Sequence, residues 1–139
     1  MTSPSPVAVV TGANSGIGRA TAIHLAANGY RVFGTVRDAQ RATKAMSMAS
    51  EAGVEIDWIE LDIAESRSVH GGFTEIMSRC EQVDVLVNNA GVGGNAVVEE
   101  CPPEMFLEVM NINLCGAVRC IQEVLPQMRA RSSGCIVNV

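Results

Sequence analysis

The chain has 139 residues, with Lys+Arg 10 against Asp+Glu 15 and a net charge of -5. Apolar residues make up 47% and charged residues 18%, the balance of a folded domain rather than a disordered segment. An acidic chain without a basic run is a poor partner for nucleic acid or an anionic membrane, and no run reaches the roughly 18 apolar residues that a span needs.

The opening MTSPSP carries no basic or apolar region of the signal-peptide kind, and Pro4 and Pro6 keep Met1 to Pro6 out of regular structure. Val7 to Val10 is an apolar run that suits a strand buried on both faces. A glycine-rich turn follows, and then a helix whose Gly18, Ala22, Leu25 and Gly29 share one small-residue face, with Gly29 as its stop. Arg31 to Val36 is a second strand. Asp38 is placed to cap a second helix running to Ala52, with Gly53 as terminator. Glu55 to Leu61 is strand three, Glu65 to Cys80 helix three, and Val83 to Val87 strand four. Pro102 and Pro103 open a long helix, 103–129, which Pro126 must kink or shorten. Gly134 releases a fifth strand, Cys135 to Val139.

Strands alternating with helices at this spacing predict a single α/β domain over 1–139, a doubly wound parallel sheet of Rossmann type. Right-handed crossovers give the strand order 3-2-1-4-5, incomplete at its C-terminal side, with a ligand crevice past the carboxyl ends of strands one and four.

The turn Thr11-Gly12-x3-Gly16-x-Gly18 lies between a strand and a helix. Its glycines let the backbone bend sharply and approach a diphosphate, while free amides and the helix dipole favour the anion. The plain alternative is a tight strand-to-helix turn without a ligand.

With Asn88-Asn89-Ala90-Gly91 after strand four, this turn resembles the short-chain dehydrogenase/reductase family over essentially the whole chain, Val7 to Val139. The resemblance implies a nicotinamide dinucleotide cofactor. Gly12, Ser15, Gly16, Ile17 and Gly18 would line its phosphate and ribose side. Asp62 would accept from the adenine amino group, with Ile63 beside it; the alternative for Asp62 is a cap on helix three. Asn88, Asn89 and Ala90, closed by Gly91, would hold strand four and the cofactor's ribose. Asn113 resembles the family's active-site asparagine, which kinks its helix and helps hold a water in the proton relay; Asn111 is its near competitor.

Sites for NAD usually carry an acid at the end of strand two, to accept from the ribose 2′-hydroxyl. Alignment with the family puts Val36 there, with Arg37 next. A guanidinium forks onto a 2′-phosphate, so Arg37 points to NADP(H) over NAD. Two alternatives remain open: Arg37 pairs with Asp38 on the surface, or Asp38 itself takes the hydroxyl.

Catalysis in the family also needs a serine and a Tyr-x3-Lys pair, because tyrosine with a pKa of about 10 needs a cationic neighbour to act near neutrality. The single tyrosine, Tyr30, is followed four residues on by Gly34, and the single lysine is Lys44. Ile136 to Val139 resembles the strand that leads into the catalytic serine. The chain therefore reads as the cofactor-binding part of an NADP(H)-dependent oxidoreductase, truncated, which moves hydride between nicotinamide and a carbonyl or alcohol substrate. The alternatives are a non-catalytic dinucleotide-binding module and a non-functional fragment. The substrate is not legible; Gly91 to Glu100 is a flexible stretch that suits bordering one and equally suits an ordinary loop.

Cys80, Cys101, Cys115, Cys120 and Cys135 form no C-x-x-C pair and are expected as free, mostly buried thiols in a reducing cytoplasm. His24 and His70 lack zinc-site spacing, so no metal is assigned. The long helix carries two apolar stripes: Phe106, Met110, Asn113, Ala117, Cys120 and Val124, then Leu107, Leu114, Val118, Ile121 and Leu125. One stripe faces the sheet. The other packs on a second helix, of this chain or of another copy, so homo-oligomerisation or self-association is expected and a plain core helix is the alternative.

Overall fold

The computed structural model describes residues 5–94 and 96–139. The expected leader therefore lies outside the described residues except for Ser5 and Pro6, as does Asn95 of the Gly91 to Glu100 stretch. Five strands, β1 (Val7–Val10), β2 (Arg31–Val36), β3 (Asp57–Glu60), β4 (Val85–Asn88) and β5 (Cys135–Asn138), form one parallel sheet in the order β3-β2-β1-β4-β5. Five α-helices join them: α1 (Gly16–Ala27), α2 (Thr43–Glu51), α3 (Ser66–Arg79), α4 (Pro103–Met110) and α5 (Gly116–Ala130). This is the doubly wound order expected from the alternation of patterns. Among the described residues no helix is long and apolar enough to cross a membrane.

The alternation within β1 divides the core. Val7 and Val9 join Phe33, Ile59, Phe73, Leu86 and Val124 on the side of α3 and α5. Ala8 and Val10 join Ala13, Ala22, Val32 and Val87 on the side of α1. The second side is built from small residues, so α1 sits close to the sheet, as its Gly18 and Ala22 face predicts. Gly29 and Gly53 adopt φ of 87° and 69° just past α1 and α2, where a left-handed residue ends a helix.

Several boundaries differ from expectation. Pairing of β3 begins at Asp57, opposite Phe33, so Glu55 and Ile56 stay outside the ladder. In β4 the shift is forward. Asp84 instead accepts from the Val7 amide through Oδ2, and Asn88 pairs with Asn138 in the ladder. Asp38 does cap, with Oδ1 accepting from Gln40 N at 2.9 Å, but it caps a 3-10 turn, Ala39–Ala42, that precedes α2.

The largest correction concerns the long helix. It does not end at Pro126, which lies inside α5. Pro126 and Gln122 both lie on the exposed side of α5, where water can reach a carbonyl that proline leaves without its helical partner. The irregularity is a π turn, Asn111–Cys115, between α4 and α5. Its wider winding changes which face meets the sheet. Gly116, Cys120, Val124 and Met128 are buried, whereas Phe106 and Met110 of the same predicted stripe are about half exposed. Leu107, Leu114 and Val118 are exposed as well, so an apolar outer face runs along both helices.

The thiols also depart from expectation. All five are free, but only Cys120 is buried; Cys80 and Cys101 are half-buried, and Cys115 and Cys135 are exposed. The exposed two lie on the π turn and on β5, an edge of the sheet, where among the described residues no element covers them.

Candidate functional site

The site grows from the place where β1 and β4 end side by side. Thr11 is buried, and its hydroxyl accepts from Asn89 N and Ala90 N, both at 3.0 Å. Its own amide donates to Val87 O at 3.0 Å. One side chain thus ties the end of β1 to the loop after β4. Asn89 returns the tie: its Nδ2 donates to Thr11 O at 3.0 Å and to Gly12 O at 3.3 Å. Sequence reasoning gives Thr11 no role of its own; a β-branched hydroxyl at the last buried position before a glycine turn is the signal that points to it.

The turn needs its glycines for separate reasons. Gly12 and Gly16 have φ of 65° and 53°. A β-carbon on Gly12 would lie 2.9 Å from Ala90 Cα, and one on Gly18 would overlap Asn89 Nδ2 and Gly12 O. Gly16 has open space before it. Ser15 makes no side-chain cap bond, and the first amide of α1 to find a backbone partner is that of Arg19, on Ser15 O at 3.1 Å. The amides of the first turn are left for an outside acceptor.

Around this turn the structure opens a cleft of about 700 Å³. Gly12, Ser15, Gly16 and Ile17 line one wall, Arg37, Asp62 and Ile63 another, and Asn89, Ala90 and Gly91 a third. Two of the predicted cofactor-binding residues do not reach the cleft: Gly18 is buried beneath the turn, and Asn88 borders the smaller pocket beside the cleft instead. Asp62 is no helix cap. Its Oδ1 accepts from Ala64 N at 2.9 Å, shaping the loop after β3, while Glu65 takes the capping position of α3.

At the rim, Arg37 is exposed and makes no side-chain hydrogen bond or ion pair among the described residues. The surface pair with Asp38 does not form. Asp38 uses Oδ1 for Gln40 N and meets Arg41 Nε at 3.9 Å through Oδ2.

A second pocket of about 250 Å³ adjoins the cleft, with Thr11, Ile63, Asn88, Asn113 and Asn138 among its walls. Asn88 is buried and donates from Nδ2 to Asn138 Oδ1 at 2.9 Å, but its own Oδ1 is buried and meets no donor among the described residues. Asn113 makes two bonds to one residue. Its Oδ1 accepts from Val92 N and its Nδ2 donates to Val92 O, each at 2.8 Å, so it staples the loop after β4 to the π turn. Asn111 points elsewhere, to Ala64 O at 3.3 Å. Tyr30 lies just before β2 and lines a separate groove with Trp58, and Lys44 lies on α2; neither borders the cleft.

The family model for short chain dehydrogenase matches residues 6–139. The chain belongs to the short-chain dehydrogenase family. Among its relatives, 3-oxoacyl-[acyl-carrier-protein] reductase FabG of Staphylococcus epidermidis is 38% identical over 135 residues, covering 95% of this chain and 54% of that protein. A crystal structure of an actinorhodin polyketide ketoreductase variant with NADPH superposes with TM-score 0.91 at 38% identity, over 99% of this chain and 54% of the other. L-sorbose reductase from Gluconobacter frateurii, solved with NADPH and L-sorbose, superposes with TM-score 0.87 at 32% identity, over 96% of this chain and 51% of the other. This short-chain dehydrogenase chain thus spans about half the length of the relatives it matches.

Proposed function

We propose that this chain is the dinucleotide-binding part of an NADP(H)-dependent oxidoreductase acting on a carbonyl or alcohol substrate. The observation that carries the reading is the cradle at α1: unclaimed amides, an open face at Gly16, and Arg37 free at the rim. A nicotinamide dinucleotide fits this donor set. When bound, it supplies hydride exchange at the nicotinamide ring.

In this reading each residue has a physical role. The first-turn amides of α1, from Gly16 to Gly18, take the diphosphate, helped by the helix dipole. Ser15 and Ile17 flank it. Asp62 retains Oδ2 for the adenine amino group, since Oδ1 is engaged by Ala64 N. Asn88, Asn89, Ala90 and Gly91 form the wall along the ribose and nicotinamide. Asn113 holds that wall in place through Val92, and the π turn that carries it is the point at which a relay water would be held. Arg37 takes a 2′-phosphate. Asp38, already shared between Gln40 and Arg41, is poorly free to accept from a 2′-hydroxyl, which favours NADP over NAD.

The relatives solved with NADPH or named as reductases support oxidoreduction of a carbonyl. The substrates in their names, a 3-oxoacyl group and L-sorbose, differ too much to choose one for this chain. The proton-supplying Tyr-x3-Lys pair is absent from the 139 residues, which favours, for the chain by itself, binding without turnover. We assign the cytoplasm as compartment, since free thiols suit reducing surroundings. We also assign a second copy as the cover for the outer face of α4 and α5.

Calorimetric titration with NADPH and NADH tests the reading. NADPH is expected to bind more tightly, and Arg37→Ala to weaken NADPH far more than NADH. No binding of either nucleotide to folded protein would overturn the reading, and equal losses in the variant would overturn the NADP preference.

A further inference from the structure

Arg119 stands on α5, outside every motif that marks the nucleotide cleft. Its guanidinium is nevertheless spent on the loop that forms one wall of that cleft. Nη1 donates to Ile63 O at 3.0 Å and to Asn111 O at 3.1 Å. Nη2 donates to Asn111 Oδ1 at 2.6 Å, and Nε to Ser66 Oγ at 3.1 Å. Asn111 completes the bridge by donating from Nδ2 to Ala64 O at 3.3 Å. Two stations on the loop after β3, Ile63 and Ala64, and the first residue of α3, Ser66, are therefore fastened to the π turn and the start of α5.

We propose that Arg119, acting with Asn111, is a positioning residue that sets the Asp62–Ile63 segment against the nucleotide cleft and keeps it in step with the helix that carries Asn113. The inference rests on the dinucleotide reading given above. Ile63 forms a wall of both the cleft and the smaller pocket, so moving its backbone changes both at once. Asp62 precedes it directly, and the turn that aims its carboxylate closes on Ala64 N, the residue whose carbonyl Asn111 holds. A planar guanidinium with several fixed donors suits such a clamp, because it reaches two carbonyls, a hydroxyl and an amide oxygen without needing a carboxylate. Lysine can replace the two carbonyl contacts with one ammonium but cannot span all four.

The test pairs hydrogen exchange with nucleotide titration on Arg119→Met, Arg119→Lys and Asn111→Ala. In protein without nucleotide, Arg119→Met is expected to speed exchange of the Ala64 and Glu65 amides, which are held by Asp62 in the wild type. It is expected to weaken NADPH and NADH by the same factor, roughly tenfold, the scale of one lost net hydrogen bond. Arg119→Lys should restore part of both effects, and Asn111→Ala should reproduce them if Arg119→Met does not fold. Unchanged exchange, or faster exchange with wild-type affinities, would overturn the proposal. So would a loss confined to NADPH, because that places the effect at the 2′-phosphate. Wild-type protein that binds neither nucleotide fails the parent reading, and the exchange result then shows separately whether the clamp exists.

Discussion

Gly116 and Ile63 meet with no room for a side chain between them: a β-carbon on the glycine would lie 2.8 Å from Ile63 Cδ1 and 3.0 Å from its Cβ. The first turn of α5 therefore leans directly on the wall of the nucleotide cleft.

Gly116→Ala is expected to push Ile63 toward the cleft. Overpacking of this kind costs about 1–3 kcal/mol, more than the roughly 1 kcal/mol of helix propensity that alanine returns. Thermal melting should show a net loss, and nucleotide affinity should fall with it. Adding Ile63→Ala should make the pair less destabilised than the sum of the singles, since the clash is between these two side chains.

Asn89→Ala removes two donors from the carbonyls of Thr11 and Gly12. Leaving part-buried acceptors without partners costs about 1–3 kcal/mol. The glycine turn then loses its anchor to the loop after β4, so NADPH affinity should drop alongside the melting temperature. A variant with full stability and full affinity would show that the turn holds itself.

Leu107, Leu114 and Val118 are 70%, 52% and 43% exposed on adjoining turns of α4, the π turn and α5. Apolar surface of this extent drives association. Sedimentation of the wild type at micromolar concentration is expected to give species heavier than one chain. Leu107→Asp with Leu114→Asp should move the distribution to monomer, because a charge cannot be buried there without a partner.

Burial pushes the Cys120 thiol up to about 12, with the nearby Glu123 carboxylate adding to the effect. Iodoacetamide at pH 8 should therefore modify Cys115 and Cys135, which are exposed, and spare Cys120 until the chain unfolds. The stability consequence follows from proton counting. Below pH 9 the thiol is protonated in both states; above it the unfolded thiol ionises while the folded one keeps its proton, so stability falls from about pH 9 to about pH 12. Cys120→Ala should flatten that alkaline decline in a series of melts.

The order of elements and the glycine turn were legible because both rest on local pattern: apolar runs for buried strands, small residues at helical spacing for α1, glycine where φ turns positive. The break in the long helix was not legible from local pattern; only the resemblance at Asn113, which implies a kink there, points to it. Pro126 was the visible breaker in the sequence, yet its exposed position makes it harmless, while the π turn at Asn111–Cys115 is held by contacts to Val92 and Ala64 far away in sequence. The exposure of Cys115 and Cys135 escaped for a related reason. Apolar neighbours in sequence do not say whether another element covers a given face. The roles of Thr11 and Arg119 are not legible in the sequence because they exist only after β4 and α5 come to lie beside loops they do not adjoin in the chain.

The central place of β1 in the sheet has a kinetic side. Its neighbour β4 pairs with it in a parallel ladder, Ala8 opposite Val85, across a separation of 77 residues. At roughly 5–20 residues per second of synthesis, the nascent first strand waits roughly 4–15 s for that partner to be made. During that interval the half-built layer of β1, β2 and β3 presents its future midline to the surroundings as a raw border. Yield in cells should thus respond to translation speed and to holding chaperones more than the final melting temperature alone would suggest.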